Sequence, residues 1–483
     1  MFIRFINYTL SYEYFKCCQS KNREVKYLSD AIAAIATGGS ISAIGIVRVS
    51  GEGAIAAADK IFCAKSGVML SSAENRRMYY GELFDADGRL IDLCLCTVSR
   101  GPDSYTGEDT VEFHCHGSPV ALSEVLRALF SNGVRQAQAG EFTKRAFLNG
   151  RLDLTQAEAV IDLIEAETPA AAQNAAGQLL GAIGLKLEPV YSSLLDVMAH
   201  FHAVIDYPDE DIDEFCIQSY LPALNNAKNE LARMLATHER GKVLREGVPT
   251  VIIGRPNTGK SSLLNALLGY DRAIVTSIAG TTRDTVEEKI LIGGILLRLI
   301  DTAGVRKTDD TIEKLGVERT IAAIRGAGLV ILVLDSSEPL CDGDFDALRL
   351  IPRSVPMLAA VNKSDLPSVL TAEDLSGLGL EHCSICALTG EGLDVLEEKV
   401  RKLFPELETP PAGEIITNAR QADAISRAMN SVNQAIDAIN ASITPDAVLS
   451  EVESALTAIG EITGKTMRED IVSRIFERFC VGK

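Results

Sequence analysis

The chain has 483 residues, of which 47% are hydrophobic and 23% are charged. At about 150 residues per domain this length predicts about three domains, and the composition is that of a folded globular protein. There are 47 Lys and Arg against 66 Asp and Glu, so the net charge is −19. This argues against binding of nucleic acid by bulk electrostatics, which needs a basic surface. It leaves room for a local basic patch, or for RNA held jointly with a basic partner.

The cysteines and apolar runs predict a cytoplasmic protein without a membrane span. The 11 cysteines show no disulfide framework, and the lone pair Cys383 and Cys386 lacks the second pair that a zinc site needs. Two uncharged runs, 31–47 and 168–185, are short for a spanning helix of about 17–25 residues and contain polar side chains. Residues 1–27 are aromatic and basic, and they lack the apolar stretch of a signal peptide. We treat them as an extension of doubtful significance.

Between residues 28 and 147 short apolar runs alternate with glycine-rich turns. The runs predict strands at 44–49, 93–98 and 110–116, and a helix at 121–130. This pattern predicts a mixed α/β domain. In the third strand, alternation places Glu112, His114 and His116 on one face of the sheet. Arg48 ends the first strand, where a half-buried guanidinium needs an anion, either from a ligand or from a structural ion pair.

The remaining sequence predicts a helical domain interrupted by an inserted domain. Residues 148–246 and 408–483 are helical in pattern, whereas residues 247–407 alternate strands with helices. A capping box formed by Thr155 and Glu158 predicts the start of the first helix, with Ile164 on its apolar face. The predicted fold class is therefore multidomain, with α/β domains and an all-α domain that is discontinuous in sequence.

Residues 254–261 read GxxxxGKS between a strand at 250–253 and a helix at 262–268. This is the context of a P-loop, in which backbone N–H groups and the helix N-terminus bind phosphate. Lys260 is expected to reach the β- and γ-phosphate oxygens, and the Ser261 hydroxyl to bind Mg²⁺. The alternative is a glycine-rich turn before a helix, which the motif and its context together disfavour.

A DxxG motif follows at residues 301–304. Asp301 is expected to hold Mg²⁺ through a water molecule, and the Gly304 N–H to meet the γ-phosphate. Val305 comes next, where Ras-like proteins have the Gln that orients the attacking water. Catalysis must therefore draw on a side chain from a partner or on another local group.

Two motifs predict that the base is guanine. Residues 362–365 form NKxD, and the Asp365 carboxylate can accept two hydrogen bonds from guanine that adenine cannot offer. Residues 384–388 stand where the base-contacting SA[KL] loop belongs, with Cys386 in place of Ser. Backbone contacts should survive this replacement, whereas a hydroxyl contact should be lost. Together these motifs predict a GTPase domain.

Four segments closely resemble the MnmE (TrmE) family of tRNA-modifying GTPases. They are SYTGED at 104–109, GEFTKRAFLNGRLDL at 140–154, TSIAGTTRD at 276–284 and FCVGK at 479–483. The second and fourth are far more specific than the GTPase loops, which other translational GTPases share. The resemblance runs from about Ser29 to the last residue.

This resemblance implies an N-terminal folate-binding and dimerising α/β domain, a discontinuous helical domain and an inserted Ras-like P-loop GTPase (G) domain. It implies a homodimer whose potassium-stimulated GTP hydrolysis drives association of the G domains. It also implies an FAD-containing partner, MnmG (GidA), in a heterotetramer or larger complex, and tRNA as the substrate. The two proteins would add a carboxymethylaminomethyl-type group to carbon five of the wobble uridine of certain tRNAs. The one-carbon donor would be 5-formyl- or methylene-tetrahydrofolate.

The resemblance also carries residue roles onto this chain. Folate contacts fall on Arg48, Glu112, Arg151 and Lys483. The K⁺ ligands fall on Asn257, Thr276, Ile278 and Thr281, and the Mg²⁺ ligands on Ser261 and Thr282. Catalytic roles fall on Asp301 and on Glu313, which would orient water unless it only caps a helix. Cys480 matches a cysteine that the family needs for modification, and its role, nucleophile or structural, is open. The GTP contacts comprise Asn257, Thr258, Gly259, Lys260, Ser261, Ser262, Thr276, Ser277, Ile278, Ala279, Gly280, Thr281, Thr282, Asp301, Thr302, Ala303, Gly304, Asn362, Lys363, Asp365, Cys386, Ala387 and Leu388.

Two other classes stay open as alternatives. A ribosome-assembly GTPase of the Era or Der kind would bind rRNA through an added basic domain, often a KH domain with a GxxG loop. Here residues 460–464 offer only GxxxG, and the chain is acidic. A non-enzymatic scaffold would not turn over GTP. GTP turnover separates the scaffold from the two enzymes, and folate binding separates the enzymes from each other.

Overall fold

The computed structural model describes residues 30–206, 217–270, 288–300, 321–407, 413–466, 469–477 and 479–482. The predicted extension at 1–27 lies outside these ranges. The chain forms two compact units: residues up to Ala157 group with those from Met467 onward, and Glu158–Thr466 form the other unit. The domain boundaries inferred from the sequence stay predictions. Within the described ranges, no helix combines the length and the apolar character needed to cross a bilayer.

Among its described residues, the first unit has a sheet of seven strands: β1 (Ile32–Ile35), β2 (Ser42–Ser50), β3 (Phe62–Ala64), β4 (Met78–Phe84), β5 (Leu90–Ser99), β6 (Thr110–Gly117) and β7 (Arg135–Gln136). Their order across the sheet is β3-β4-β5-β6-β2-β1-β7, and all neighbours are antiparallel except β1 and β7. The helices that accompany them are α1 (Ala54–Asp59), α2 (Pro119–Ser131) and α3 (Glu141–Leu148). The three predicted strands and the predicted helix are confirmed as β2, β5, β6 and α2.

One face of this sheet packs on a large core, and the other face is covered at β1 and solvent-exposed further along the sheet. On that second face, Ile32 and Ala34 of β1 are fully buried against Ala137 and Phe142. Cys96 of β5 and Phe113 of β6 are fully buried in a core that includes side chains of α1 and α2. Because side chains alternate along a strand, Arg48, Glu112 and His114 lie on the opposite face. That face also carries large apolar side chains that solvent reaches, namely Ile44, Met78, Tyr80, Leu93 and Leu95.

Between residues 148 and 246, the described part of the chain forms helices α4 (Leu154–Ile164), α5 (Pro169–Leu179), α6 (Ala182–Asp206), α7 (Leu221–Ala236) and α8 (His238–Glu246). The predicted capping box is wrong in position. The Asp153 carboxylate accepts the Gln156 N–H at 2.8 Å, and the Gln156 side chain accepts the Asp153 N–H at 2.9 Å. This pair has the spacing of a capping box two residues before the predicted one. Glu158 is buried instead, and Ile164, predicted on the apolar face, is 49% exposed.

The inserted residues form a second sheet, with strands β8 (Val248–Ile253), β9 (Glu288–Ile292), β10 (Ile295–Leu299), β11 (Leu329–Asp335), β12 (Met357–Asn362) and β13 (Glu381–Ser384). The order is β13-β12-β11-β8-β10-β9, and only β9 and β10 are antiparallel neighbours. The accompanying helices are α9 (Lys260–Tyr270), α10 (Asp342–Arg349), α11 (Ala372–Gly377) and α12 (Leu393–Leu403). Because β8, β11 and β12 are parallel, their carboxyl ends share one edge of the sheet, and ligands of such sheets bind there.

Helices α13 (Ala419–Asn440) and α14 (Pro445–Thr463) share one core with α6 and α7. Arg420 of α13 binds Glu158 of α4 with two parallel hydrogen bonds of 2.8 Å. Asp162, one turn further along α4, contacts Arg245 at 3.0 Å and accepts from the Thr417 hydroxyl at 3.1 Å. Arg245 precedes the inserted domain and Thr417 follows it. Helix α4 therefore contacts the chain both where it enters and where it leaves the inserted domain. The helical core is discontinuous in sequence, as predicted.

The C-terminal segment belongs to the first unit. After helix α15 (Glu469–Phe476), Val481 pairs with Ala139 in an antiparallel bridge, and the Gly140 N–H donates to the Cys480 carbonyl at 3.3 Å. Gly482 has a φ of +103°, and a Cβ there would lie 2.3 Å from the Ile35 carbonyl oxygen. No other residue fits at that position. The two most specific segments of the sequence, 140–154 and 479–482, are thus in direct contact.

Candidate functional site

The loop between β8 and α9 has close backbone packing. Gly254 has a φ of +148°, and a Cβ there would lie 2.4 Å from the Val333 carbonyl oxygen on β11. Gly259 has a φ of +96°, and a Cβ there would lie 2.1 Å from the Asn362 amide nitrogen at the end of β12. Side chains are excluded at both positions, so the glycines let the loop pack against the carboxyl ends of β11 and β12.

Lys260, the first residue of α9, folds its ammonium group over this loop. Its Nζ donates to the carbonyl oxygens of Gly254 at 2.9 Å and of Arg255 at 2.6 Å. Burial lowers the pKa of Lys260. A phosphate group placed here would bring negative charge to a half-buried ammonium whose described partners are neutral carbonyls. The residues present therefore fit the phosphates of a nucleotide.

Asn362 of the NKxD motif connects this loop to the base-side loop. Its amide nitrogen donates to the Thr258 carbonyl at 2.8 Å, and its amide oxygen accepts the Ala387 N–H at 2.9 Å. Asp365 accepts a hydrogen bond from the Cys386 thiol at 3.2 Å. The thiol thus contacts the carboxylate of the NKxD motif, and the predicted loss of a hydroxyl contact in this loop stays a prediction. Leu388 is 87% exposed. The P-loop and the two predicted base loops therefore lie together at the carboxyl edge of the sheet.

Asp335 is part of this site, and sequence analysis did not identify it. It ends β11 directly beside Asn362 on β12, and its carboxylate accepts from the Lys363 ammonium at 2.5 Å and from the Ser337 hydroxyl at 2.7 Å. Burial acts to raise the pKa of Asp335, but the hydrogen bonds from Lys363 and Ser337 lower it overall. A signal was present in the sequence, since one carboxylate ends an otherwise wholly apolar strand.

Arg255, the second residue of the P-loop, was also not identified. Its guanidinium lies 3.0 Å from Asp344 at the start of α10 and 3.0 Å from Glu338 in the preceding loop. The contact with Asp344 is ionic rather than an aligned hydrogen bond. Asp344 also accepts the Cys341 N–H at the N-terminus of α10. The side chain of Arg255 therefore connects the P-loop to the segment that follows β11.

On the face of the first sheet opposite α1 and α2, two of the predicted folate contacts bind each other in a half-buried position. Arg48 and Glu112 are directly opposite on β2 and β6, and Arg48 Nε lies 2.7 Å from Glu112 Oε1. The Arg48 guanidinium also lies over the rings of Tyr105 and Phe142, at 5.3 and 5.7 Å from their centroids. His114 Nε2 is 3.7 Å from Glu112 Oε2 and has no hydrogen-bond partner among the described residues.

The other two predicted folate residues are not part of this pair. Arg151 lies 3.9 Å from Asp103, and Lys483 is outside the described residues. Tyr105 shares a hydrogen bond of 2.9 Å with Thr143, and burial raises the pKa of Tyr105. The side chain of Cys480 is exposed.

Two charged residues of the segment 140–154, Glu141 and Arg145, form an ion network with Asp30, Glu108 and Arg135. Arg145, whose side chain is 9% exposed, contacts Glu108 at 3.0 Å, Glu141 at 2.9 Å and Asp30 at 3.1 Å. Glu141 also accepts from Arg135 at 2.6 Å and from the Gln138 N–H at 2.8 Å. Burial acts to raise the pKa of Glu141, but the bonds from Arg135, Gln138 and Arg145 outweigh it and lower the pKa to about 2.

Asn257 lies in the P-loop with a φ of +66°, and Ser261 and Ser262 lie in the first turn of α9. Twelve other predicted residues lie outside the described ranges. They are Thr276, Ser277, Ile278, Ala279, Gly280, Thr281, Thr282, Asp301, Thr302, Ala303, Gly304 and Glu313. Their roles stay predictions.

A mostly parallel sheet with a P-loop, and an NKxD loop hydrogen-bonded to it, defines a P-loop GTPase. Residues 154–480 match the family model described as "MnmE helical domain", and residues 31–151 match "GTP-binding protein TrmE N-terminus". The chain is 43% identical to the tRNA modification GTPase MnmE of Alkaliphilus metalliredigens and 41% identical to that of Clostridioides difficile. Each match covers 95% of this chain and 100% of the relative. The chain belongs to the MnmE family of tRNA modification GTPases.

A solved structure also matches in part. The G domain of the T. maritima FeoB iron transporter is 29% identical and covers 32% of this chain and 96% of its own, with a TM-score of 0.25. The family assignment does not depend on it. Because the family models extend over both domains outside the GTPase, the ribosome-assembly and scaffold alternatives are set aside. The protein is a GTP-hydrolysing enzyme, and GTP and Mg²⁺ are its ligands.

Proposed function

We propose that this GTPase acts as a cytoplasmic homodimer with an FAD-containing MnmG (GidA) flavoprotein, in a heterotetramer or larger complex. The complex adds a carboxymethylaminomethyl-type group to carbon five of the wobble uridine of certain tRNAs. One carbon comes from 5-formyl- or methylene-tetrahydrofolate. Family membership supports this proposal. The structural observation that carries it is that the C-terminal tail packs against the first sheet, beside the proposed folate contacts.

The tail lies on the sheet that carries the proposed folate contacts. Gly482 packs against Ile35, and Ile35 pairs with Val47, the residue before Arg48. Lys483, the proposed folate contact, follows Gly482 directly in the chain. The tail therefore supports a single site to which Arg48, Glu112 and the C-terminus contribute.

The pair of Arg48 and Glu112 is compatible with a bound folate. The pair joins Nε to Oε1, so the terminal nitrogens of Arg48 remain suited to a glutamate carboxylate of folate, and Oε2 of Glu112 to pterin N–H groups. His114 offers one more polar atom beside Glu112. Arg151 is the remaining proposed contact.

GTP hydrolysis is proposed to use Glu313 in place of the missing Gln. Lys260, Asn257 and the P-loop N–H groups hold the phosphates, while the Glu313 carboxylate orients the water that attacks the γ-phosphate. Ser261 and Thr282 would hold Mg²⁺, with Asp301 acting through water. Asn257, Thr276, Ile278 and Thr281 would hold K⁺, whose charge stabilises the transition state. Asn257→Ala should therefore abolish the response of the hydrolysis rate to K⁺.

The exposed apolar side chains of β4 and β5 support the homodimer. Tyr80, Leu95, His114 and Ile46 are successive neighbours across four strands, and Tyr80 and Leu95 are 52% and 41% exposed. A monomer rarely exposes a contiguous apolar surface of this kind, and a second copy of the chain would cover it.

Analysis of modified nucleosides tests the proposed function most directly. Deletion of the gene should remove the carbon-five modification from wobble uridines, and the wild-type chain should restore it. The Asp365→Asn variant, which should bind GTP poorly, is expected to restore little. Unchanged wobble uridines in the deletion strain would contradict the proposal.

A further inference from the structure

Arg255, the second residue of the P-loop, forms an ion pair with a buried carboxylate at the start of α10. Its guanidinium lies 3.0 Å from Asp344, whose side chain is 3% exposed, and 3.0 Å from Glu338, whose side chain is 58% exposed. A carboxylate as buried as Asp344 needs a counter-charge, because desolvation of an unpaired charge is costly. Asp344 also accepts the Cys341 N–H at 3.0 Å, which fixes it to the first turn of α10. The guanidinium therefore has a rigid partner outside the P-loop.

The backbone of Arg255 is the point at which internal hydrogen bonds of the P-loop meet. Its carbonyl oxygen accepts from the Lys260 ammonium at 2.6 Å and from the Thr258 hydroxyl at 3.1 Å. The preceding residue, Gly254, packs so closely against the Val333 carbonyl that a side chain is excluded. The position of the Arg255 carbonyl therefore helps to determine where the ammonium group of Lys260 lies.

We propose that Arg255 is a positioning residue for phosphate binding, which acts by fixing the P-loop to α10 through its ion pair with Asp344. The lysine of a P-loop reaches the β- and γ-phosphates, and such charge-assisted hydrogen bonds depend steeply on distance and angle. The ion pair restrains the backbone of Arg255 from outside the loop, and through its carbonyl it restrains Lys260. This role belongs to GTP binding and does not depend on the proposed tRNA chemistry.

A purely structural ion pair would stabilise the G domain without changing the relative affinities of its nucleotides. Guanosine diphosphate and guanosine monophosphate separate the two roles, because they share the base, the ribose and the α-phosphate. The monophosphate lacks the β-phosphate that Lys260 reaches. A partial loss of folded protein lowers both apparent affinities by the same factor. The ratio of the two affinities therefore reports the contact of Lys260 with the β-phosphate.

The experiment measures both affinities by displacement of a fluorescent guanosine diphosphate analogue from the full-length protein. The wild type should prefer the diphosphate, and Arg255→Ala should lower the ratio by about tenfold or more, the effect of losing one hydrogen bond to a charged group. Asp344→Asn keeps an acceptor for the Cys341 N–H but removes the charge, and it should lower the ratio to a similar extent. The double variant should be no worse than Arg255→Ala, because both substitutions remove the same ion pair.

Arg349→Ala is the matched control on the same helix. Arg349 is 79% exposed and pairs with Asp346 within α10, away from the P-loop residues. An exposed pair of this kind contributes little, so the ratio should stay at the wild-type value.

Three outcomes would overturn the inference. The first is an unchanged ratio in Arg255→Ala together with a normal preference of the wild type for the diphosphate. The second is a double variant in which the two effects add, since the two residues would then act separately. The third applies if Arg255→Ala does not fold: Asp344→Asn, which preserves the shape of its side chain, then decides the question, and an unchanged ratio in that variant refutes the role of the ion pair.

Discussion

Replacement of Glu141 by Gln should destabilise the first unit strongly and in a pH-dependent way. The carboxylate is 11% exposed and is bound by Arg135, Arg145 and a backbone N–H. Its pKa falls from 4.5 to about 2, and this difference corresponds to about 3 kcal/mol of stability. Gln keeps the shape of the side chain but removes the charge, so at pH 7 the variant should lose about that amount.

The sign of the pH dependence follows from the lowered pKa. The contribution of Glu141 is complete above the unfolded pKa of 4.5 and is lost as the pH falls through the folded pKa of about 2. At pH 3 the ionised fraction in the folded state is still high, and the remaining contribution is about 1.4 kcal/mol. The destabilisation caused by Glu141→Gln should therefore be roughly halved between pH 7 and pH 3.

Urea unfolding of the first unit provides the assay. The chain has no Trp, so Phe130→Trp, at a partly buried position of this unit's core, gives a fluorescence signal from this unit alone. Glu124→Gln on α2 is the matched control, since the Glu124 side chain is 39% exposed and its ion pair among the described residues is with Arg127 in the next turn. It should change stability by less than about 0.5 kcal/mol. A loss below about 1 kcal/mol for Glu141→Gln at pH 7, or an equal loss at both pH values, would refute the reasoning.

Four other predictions address function. Asp365→Asn should lose the preference for GTP over ATP and gain binding of xanthosine triphosphate, measured by nucleotide competition; equal GTP and ATP affinities in the wild type would contradict the NKxD assignment. Hydrolysis should be faster in K⁺ than in Na⁺, and Glu313→Ala should lose turnover while keeping GTP affinity; a fully active variant would exclude this mechanism. Calorimetry with 5-formyl-tetrahydrofolate should show binding that Arg48→Ala weakens at least tenfold and that Arg127→Ala leaves intact; no heat with the wild type would count against a folate site. Leu95→Lys should convert a dimer into a monomer in sedimentation velocity, whereas Leu180→Lys, at an 83% exposed position of the other unit, should not.

Much of the G domain could be predicted from the sequence because its chemistry is local. The P-loop is a run of consecutive residues between a strand and a helix. Its glycines are required because the loop backbone packs too closely against neighbouring strands to leave room for side chains. The same holds for NKxD, which directly follows β12. The strands of the first unit were also predictable, because burial of one face imposes a period of two on residues such as Cys96 and Phe113.

The start of α4 shows where local patterns are not sufficient. Both the segment from Asp153 and the segment from Thr155 have a capping-box spacing, and the pattern cannot decide between them. Glu158 is not available for a cap because Arg420, 262 residues later, binds it with two hydrogen bonds. An ion pair between residues so far apart in the chain produces no local pattern from which it could be predicted.

The class of protein, the nucleotide motifs and the family could be determined from the sequence by itself. Each of them depends on short segments in which residues adjacent in the chain form the motif together. Only the tertiary structure decided that Arg48 and Glu112 bind each other, that Asp335 holds Lys363, and that Cys386 binds Asp365. These contacts join strands and loops that are distant in the chain, and their energies depend on burial and on distances of about 3 Å. Such distances are set by the packing of whole sheets and not by any segment alone.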